Sequence, residues 1–219
     1  MKAVFFDLDG TLVESLPGLT EALNRTLKDL DKKPLPVSTV RTYIGNGLWM
    51  LIRRALSKKE FSDNQITELQ SQFQNHYKNS WRSGTNPFDG IKDLITDLSH
   101  AGFTLGVLSN KTHHFTVEIT EDLFGRNLIP HICGQIDGVP RKPDPTSLLQ
   151  LCEEARVTPV ETAFVGDSTV DLETAINAGT KAVGVTWGYH NSSSLEKYNL
   201  PLAHTIDELR LLLTDQPAA

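Results

Sequence analysis

Residues 3–11 read Ala3-Val4-Phe5-Phe6-Asp7-Leu8-Asp9-Gly10-Thr11: four apolar side chains in a row, then two acids around a leucine. A strand with one wet face alternates apolar and polar, whereas an unbroken apolar run is a strand covered on both faces, as in a parallel sheet. Gly10 then lets the chain turn tightly away. Comparable runs recur at FTLGVL (Phe103 to Leu108), TAFVG (Thr162 to Gly166) and AVGVT (Ala182 to Thr186), with a weaker one in HICGQI. Between them lie helical patterns. Ile91, Leu94, Ile95 and Leu98 recur at helical spacing, with Gly102 beyond to stop the turn. Pro145 starts another helix through Leu148, Leu149 and Cys152. Ser168 and Asp171 form a capping box for a third, closed by Gly179. Strand and helix in alternation with short connections predict an α/β fold: a doubly wound parallel sheet, Rossmann-like in character.

The stretch from about Pro17 to about Gly84 breaks that rhythm. It holds helical periods at Leu19–Leu30, Leu48–Leu56 and Ile66–Tyr77, the last opened by Ser62 and Gln65, with a turn at Gly45-Asn46-Gly47. Residues 16–84 are therefore expected to form a small helical cap, inserted into a core made of residues 1–15 and 85–219. The crossings near Ser15–Pro17 and Ser83–Pro87 carry the Gly, Ser and Pro of a hinge. The stripe Ile66, Leu69, Phe73, Tyr77 reads as packing inside the cap.

Composition narrows the function. The 219 residues carry 21 Lys plus Arg against 27 Asp plus Glu, a net charge of −6, which argues against a nucleic-acid partner held by bulk charge. Cys133 and Cys152, the only cysteines, sit in apolar surroundings and read as core residues, not as a disulfide or zinc site. The run AVFF is too short for a signal-peptide core, and no segment approaches the roughly 18 apolar residues of a membrane span. A cytoplasmic protein, monomer or homodimer, with no membrane partner is expected.

Ligands of an open α/β sheet bind outside the carboxyl ends of its strands. Those ends deliver Asp7-Leu8-Asp9-Gly10-Thr11, Ser109-Asn110, Lys142 in RKPDP, and Asp167-Ser168 with Asp171 close behind. Asp7 and Asp9 are two apart, so in extended backbone their side chains leave the same side. Several carboxylates converging in this way repel unless a hard divalent cation joins them. Mg²⁺ suits them, because it takes one or two carboxylates, keeps waters and accepts phosphate oxygens. Ser109, Asn110 and Lys142 then supply donors and positive charge for the same phosphate. That combination serves phosphoryl transfer, with one carboxylate as nucleophile and its neighbour moving protons.

DLDGTLVES, the SN of LSNK, KPDP and GDSTVD resemble the four ordered motifs of the haloacid dehalogenase superfamily, and the helical insert resembles that superfamily's small α-helical cap. RTYIGNGL and VTWGY are most similar to its phosphoglycolate phosphatases. Glu14 departs from the pattern, standing where relatives usually carry Asp. The resemblance implies that Asp7 is the nucleophile and that Asp9 is the general acid/base, binding metal through its main-chain carbonyl. It makes Asp167 the third metal ligand and has Ser109 and Lys142 hold the phosphoryl group. Asp171 would orient the lysine or a metal-bound water, supported by Ser168. Backbone N–H groups after Asp7, at Leu8 and Thr11, would add donors for the phosphate. Gly45, Asn46 and Gly47 would meet the carboxylate of a two-carbon substrate such as 2-phosphoglycolate. His113 and His114 point apart on a helix and read as surface residues, while Trp187, Gly188 and Tyr189 follow a strand on the ligand face. Alternatives are a pyrophosphatase or phosphosugar mutase with the same chemistry, and a phospho-accepting signalling module.

Overall fold

The computed structural model describes residues 1–56 and 61–214. In chain order these form β1 (Ala3–Phe6), β2 (Val13–Glu14), α1 (Leu16–Lys28), α2 (Val37–Arg41), α3 (Leu48–Ala55), α4 (Asp63–Gly84), β3 (Asn86–Pro87), α5 (Ile91–His100), β4 (Thr104–Thr112), α6 (His113–Phe124), β5 (His131–Gln135), α7 (Thr146–Glu154), β6 (Thr162–Gly166), α8 (Thr169–Ala178), β7 (Lys181–Val185), α9 (Ser192–Glu196), β8 (Leu202–Ala203) and α10 (Ile206–Thr214). They divide into two units, one of Met1–Leu12 with Pro87 onward, the other Val13–Asn86.

The first unit is built on a six-stranded sheet in the order β5-β4-β1-β6-β7-β8, and its paired strands run parallel. β1 is buried along its whole length, as its unbroken apolar run requires. Phe6 pairs in register with Val107 on one side and Val165 on the other, so β1 and β6 finish within a residue of one level while β4 runs on beside them to Thr112. The chain winds outward from β1 in both directions, which makes the ends of these three strands the switch point where such sheets take ligands. One face packs Ala3, Phe5, Leu108 and Phe164 against Leu148, Leu151 and Cys152 of α7 and Leu172 and Ala175 of α8. Cys152 is thus a core residue, and Cys133 is half-buried on β5.

One strand differs from the expectation. The apolar run predicts that β4 stops at Leu108, but it continues to Thr112 with a register irregularity between Leu108 and Thr112. Ser109, Asn110 and Lys111 therefore sit on a bulged strand end instead of a following loop, and bulges of this kind re-aim side chains beside sites.

The second unit contains α1 to α4. The capping box of Ser62 and Gln65 is formed, and α4 runs well past the expected Tyr77 to Gly84. Ile66, Leu69, Phe73, Tyr77 and Trp81 are buried, with the Phe73 and Tyr77 rings stacked at 5.7 Å, so the stripe packs inside the unit. The short α2 has too few residues for a period and was not legible. Among the described residues no helix is long and apolar enough to cross a membrane.

Candidate active site

Asp7 continues the ladder of β1, donating its N–H to the Val165 carbonyl at 2.9 Å, and its buried carboxylate emerges at the switch point. Lys142 meets it there. The Lys142 Nζ donates to Asp7 Oδ1 at 2.8 Å, Asp171 Oδ1 at 2.6 Å and the Leu108 carbonyl at 3.1 Å, so all its hydrogens are used. Asn110 fixes the lysine's backbone: its Oδ1 accepts from the Lys142 N–H at 2.9 Å and its Nδ2 donates to the Lys142 carbonyl at 3.2 Å. An amide read from sequence as a phosphate donor thus spends both ends on placing Lys142. Ser109 is buried beside it; its Oγ accepts from the Lys111 N–H at 3.4 Å, which keeps its O–H as a donor.

Asp171 owes its position to the capping box of α8. Its Oδ2 accepts from the Ser168 N–H at 3.1 Å and hydroxyl at 2.5 Å, which turns Oδ1 to Lys142. A helix cap, worth about 1 kcal/mol in itself, here also aims an acid into the site. Asp167, one residue beyond β6, has Oδ2 taken by the Tyr189 N–H at 2.7 Å and by His190 Nδ1 at 3.2 Å. One oxygen each of Asp7, Asp167 and Asp171 lies within 4.8 Å of the others, and all three residues are buried.

Asp9 is directed elsewhere. Both its oxygens accept from Lys111 Nζ, at 2.9 and 3.1 Å, in a pair with side chains only 11 % and 6 % exposed. The turn after it is closed by the Thr11 and Leu12 N–H groups on the Leu8 carbonyl, at 3.3 and 3.0 Å. The Thr11 N–H is therefore committed, and the donor left to it is its buried hydroxyl, which has no hydrogen-bond partner. Trp187 donates its Nε1 proton to the Thr11 carbonyl at 3.1 Å, so the loop after β7 joins the site through Trp187, Tyr189 and His190. His113 is half-buried and accepts the Gly134 N–H at 3.1 Å, tying α6 to β5, while His114 is exposed as expected. In the second unit, Arg54 braces the Gly45-Asn46-Gly47 turn, donating to Asn46 Oδ1 at 2.7 Å and to the Tyr43 carbonyl at 2.9 Å.

Burial and charge set the protonation states. Removal from water pushes the Asp7 carboxyl up to about 6; Lys142 opposes the shift, and Asp171 and Asp9 add to it. Burial also opposes the charge on Lys142, but Asp171 and Asp7 outweigh it and hold the amine above its ordinary range. Burial likewise disfavours protonation of His190, and its bond to Asp167 overrides that and raises it. The carboxylates of Asp7, Asp167 and Asp171 carry −3 against +1 on Lys142, so −3 + 1 leaves −2, or −1 where His190 carries a proton, and the buried space stays negative. A divalent cation offsets that charge, so the donor set fits one.

The arrangement matches a known family. The model of the haloacid dehalogenase-like hydrolases matches residues 4–185, from β1 to the end of β7, and the chain belongs to that family. Its relatives narrow this. A phosphoglycolate phosphatase of Psychrobacter arcticus is 32 % identical over 90 % of this chain and 89 % of its own. One of Pseudomonas putida is 33 % identical over 97 % of this chain and 78 % of its own. The structure of a haloacid dehalogenase-like hydrolase from Streptococcus pneumoniae superposes with a TM-score of 0.85 at 26 % identity, covering 99 % of both chains. The protein is a phosphatase of this family, which sets aside the signalling-module reading.

Proposed function

We propose that this phosphatase is a Mg²⁺-dependent phosphomonoesterase that cleaves 2-phosphoglycolate through an aspartyl-phosphate on Asp7. The observation that carries the chemistry is Lys142, buried and bonded to both Asp7 and Asp171 at the end of β1. The names of the curated relatives support the choice of ester.

An Asp7 oxygen attacks phosphorus and the ester P–O bond breaks, with Asp9, turned away from Lys111 and loaded with a proton from solvent, giving that proton to the departing alkoxide. Water then attacks the phosphorus of the acyl-phosphate and passes a proton to Asp9. Inorganic phosphate leaves and the Asp7 carboxylate is restored. Lys142, exchanging its bond to Asp7 for one to phosphate as Asp7 reacts, holds a phosphoryl oxygen together with the Ser109 and Thr11 hydroxyls. Asp7, Asp167 and the Asp9 main-chain carbonyl would hold Mg²⁺, with Asp171 supporting. The ion supplies charge neutralisation at the phosphoryl oxygens.

Lys142→Ala is expected to lower kcat/KM by on the order of 10²–10³, with kcat falling and KM rising together, because the ammonium serves ground and transition states alike. Phosphate release across a substrate range measures both constants, and wild-type values would leave Lys142 a counter-ion only.

The Gly45-Asn46-Gly47 turn is assigned to the carboxylate of the substrate; the Arg54 guanidinium beside Asn46 supplies matching positive charge. The test is a panel of esters assayed for released phosphate with Mg²⁺. Phosphoglycolate is expected to exceed ethyl phosphate, which lacks the carboxylate, by at least about tenfold in kcat/KM, roughly 1.4 kcal/mol of recognition. A preference for pyrophosphate, or isomerisation of a sugar phosphate without released phosphate, overturns the reading. Gly45 and Gly47 have φ of 103° and 82°, so Val at either distorts the turn. Such variants are expected to raise KM for phosphoglycolate far more than for an aryl phosphate. Equal losses on the two would assign specificity to other residues.

A further inference from the structure

We propose that His190 is a positioning residue for the divalent-cation site: together with the Tyr189 N–H, its Nδ1–H occupies Asp167 Oδ2 and leaves Oδ1 as the oxygen presented to the metal. The inference rests on the reading of Asp167 as a metal ligand. Asp167 accepts from Tyr189 at 2.7 Å and from His190 at 3.2 Å, both on Oδ2, so that oxygen's lone pairs are filled. Backbone closes in on the same oxygen. A Cβ at Gly10 would stand 2.6 Å from Oδ2 and one at Gly188 2.3 Å from it, distances that only glycine permits. The carboxylate is therefore walled on its Oδ2 side by two backbone segments and gripped by one main-chain and one side-chain donor.

Of those restraints only the imidazole can be removed by substitution without moving backbone. The His190 side chain is 33 % exposed, while that of Asp167 is 2 % exposed, so the histidine reaches in from the rim. Without it one lone pair of Oδ2 is released while the Tyr189 N–H keeps the other, and Oδ2 then competes with Oδ1 for the metal. Mg²⁺ is sensitive to that competition, because it demands near-ideal octahedral geometry at short distances. Partners that orient a ligand from behind typically contribute 10–100-fold to metal affinity. The sequence hides this role: His190 lies 23 residues from Asp167 and belongs to no motif that suggests a metal.

The test is calorimetric titration of Mg²⁺ into the metal-stripped protein, with His190→Ala and His190→Asn separating the loss of the donor from the loss of the ring. His190→Ala is expected to weaken Mg²⁺ binding by about tenfold or more. His190→Asn, whose amide nitrogen can take the place of Nδ1, is expected to stay within about threefold of wild type. A His190→Ala protein that binds Mg²⁺ as wild type does overturns the proposal. So does a His190→Asn protein as weak as the alanine variant, since the loss would then follow the ring and not the donor. Wild-type protein that binds no Mg²⁺ overturns the metal reading itself, and this inference with it.

Discussion

Asp7→Asn is expected to release no phosphate above background, a loss of at least about 10⁴ in kcat, since an amide neither attacks phosphorus nor ligates a hard cation. Metal-stripped wild type held in EDTA is expected to be equally silent, and the two are told apart by adding Mg²⁺ in excess: wild type recovers, the variant does not. The variant should fold. Burial pushes the Asp7 carboxyl up to about 6, so the neutral amide is the easier group to bury there. Lys142 meanwhile keeps Asp171 at 2.6 Å and the Leu108 carbonyl at 3.1 Å. The melting temperature is accordingly expected to equal or exceed that of wild type, as is common when a strained site is relaxed. A variant that retains a tenth of the activity removes Asp7 as nucleophile. Full wild-type turnover in chelator removes the cation.

Much of this site is local in sequence and so was legible. AVFF followed at once by acid gives both a buried strand and the point where it ends. Ser168 and Asp171 announce a capping box, and both reciprocal bonds of the box are formed. What local pattern cannot carry is pairing across strands. Lys111 grips Asp9 from 102 residues away only because β4 lies beside β1 and runs on past Leu108 through a bulge. The signal was faint but present: Ser109 and Lys111 are two apart on an extended segment and so share a side. Asn110 was placed at the site for the right reason, its position on a strand end, but its hold on the Lys142 backbone was not legible. Whether an amide meets a phosphate or the backbone of Lys142 depends on the course of the segment before α7, which no periodicity encodes. His190 went unread because a histidine one residue past a loop tyrosine carries no pattern at all.

Asp9 and Lys111 form a mostly buried pair, and that makes Asp9→Asn a double effect whose parts can be separated. Taking away one member of such a pair costs on the order of 3–5 kcal/mol, because the other charge is left without its counter-ion. Both Asp9→Asn and Lys111→Met are therefore expected to melt below wild type. The activities should not run in parallel. General acid/base catalysis contributes about 10²–10⁴, so Asp9→Asn is expected to lose that much on phosphoglycolate, whose alkoxide leaving group needs a proton. On p-nitrophenyl phosphate the leaving group departs without one, and the loss in the first step should shrink accordingly. The double variant Asp9→Asn/Lys111→Met removes both charges together and is expected to regain stability over either single variant, a coupling that melting curves read directly. It is not expected to regain activity. If phosphate release by the double variant returns to within about tenfold of wild type, the defect of Asp9→Asn came from a stranded lysine and not from a missing proton carrier. Unequal recovery, with the fold restored and turnover still absent, is the result that assigns the proton to Asp9.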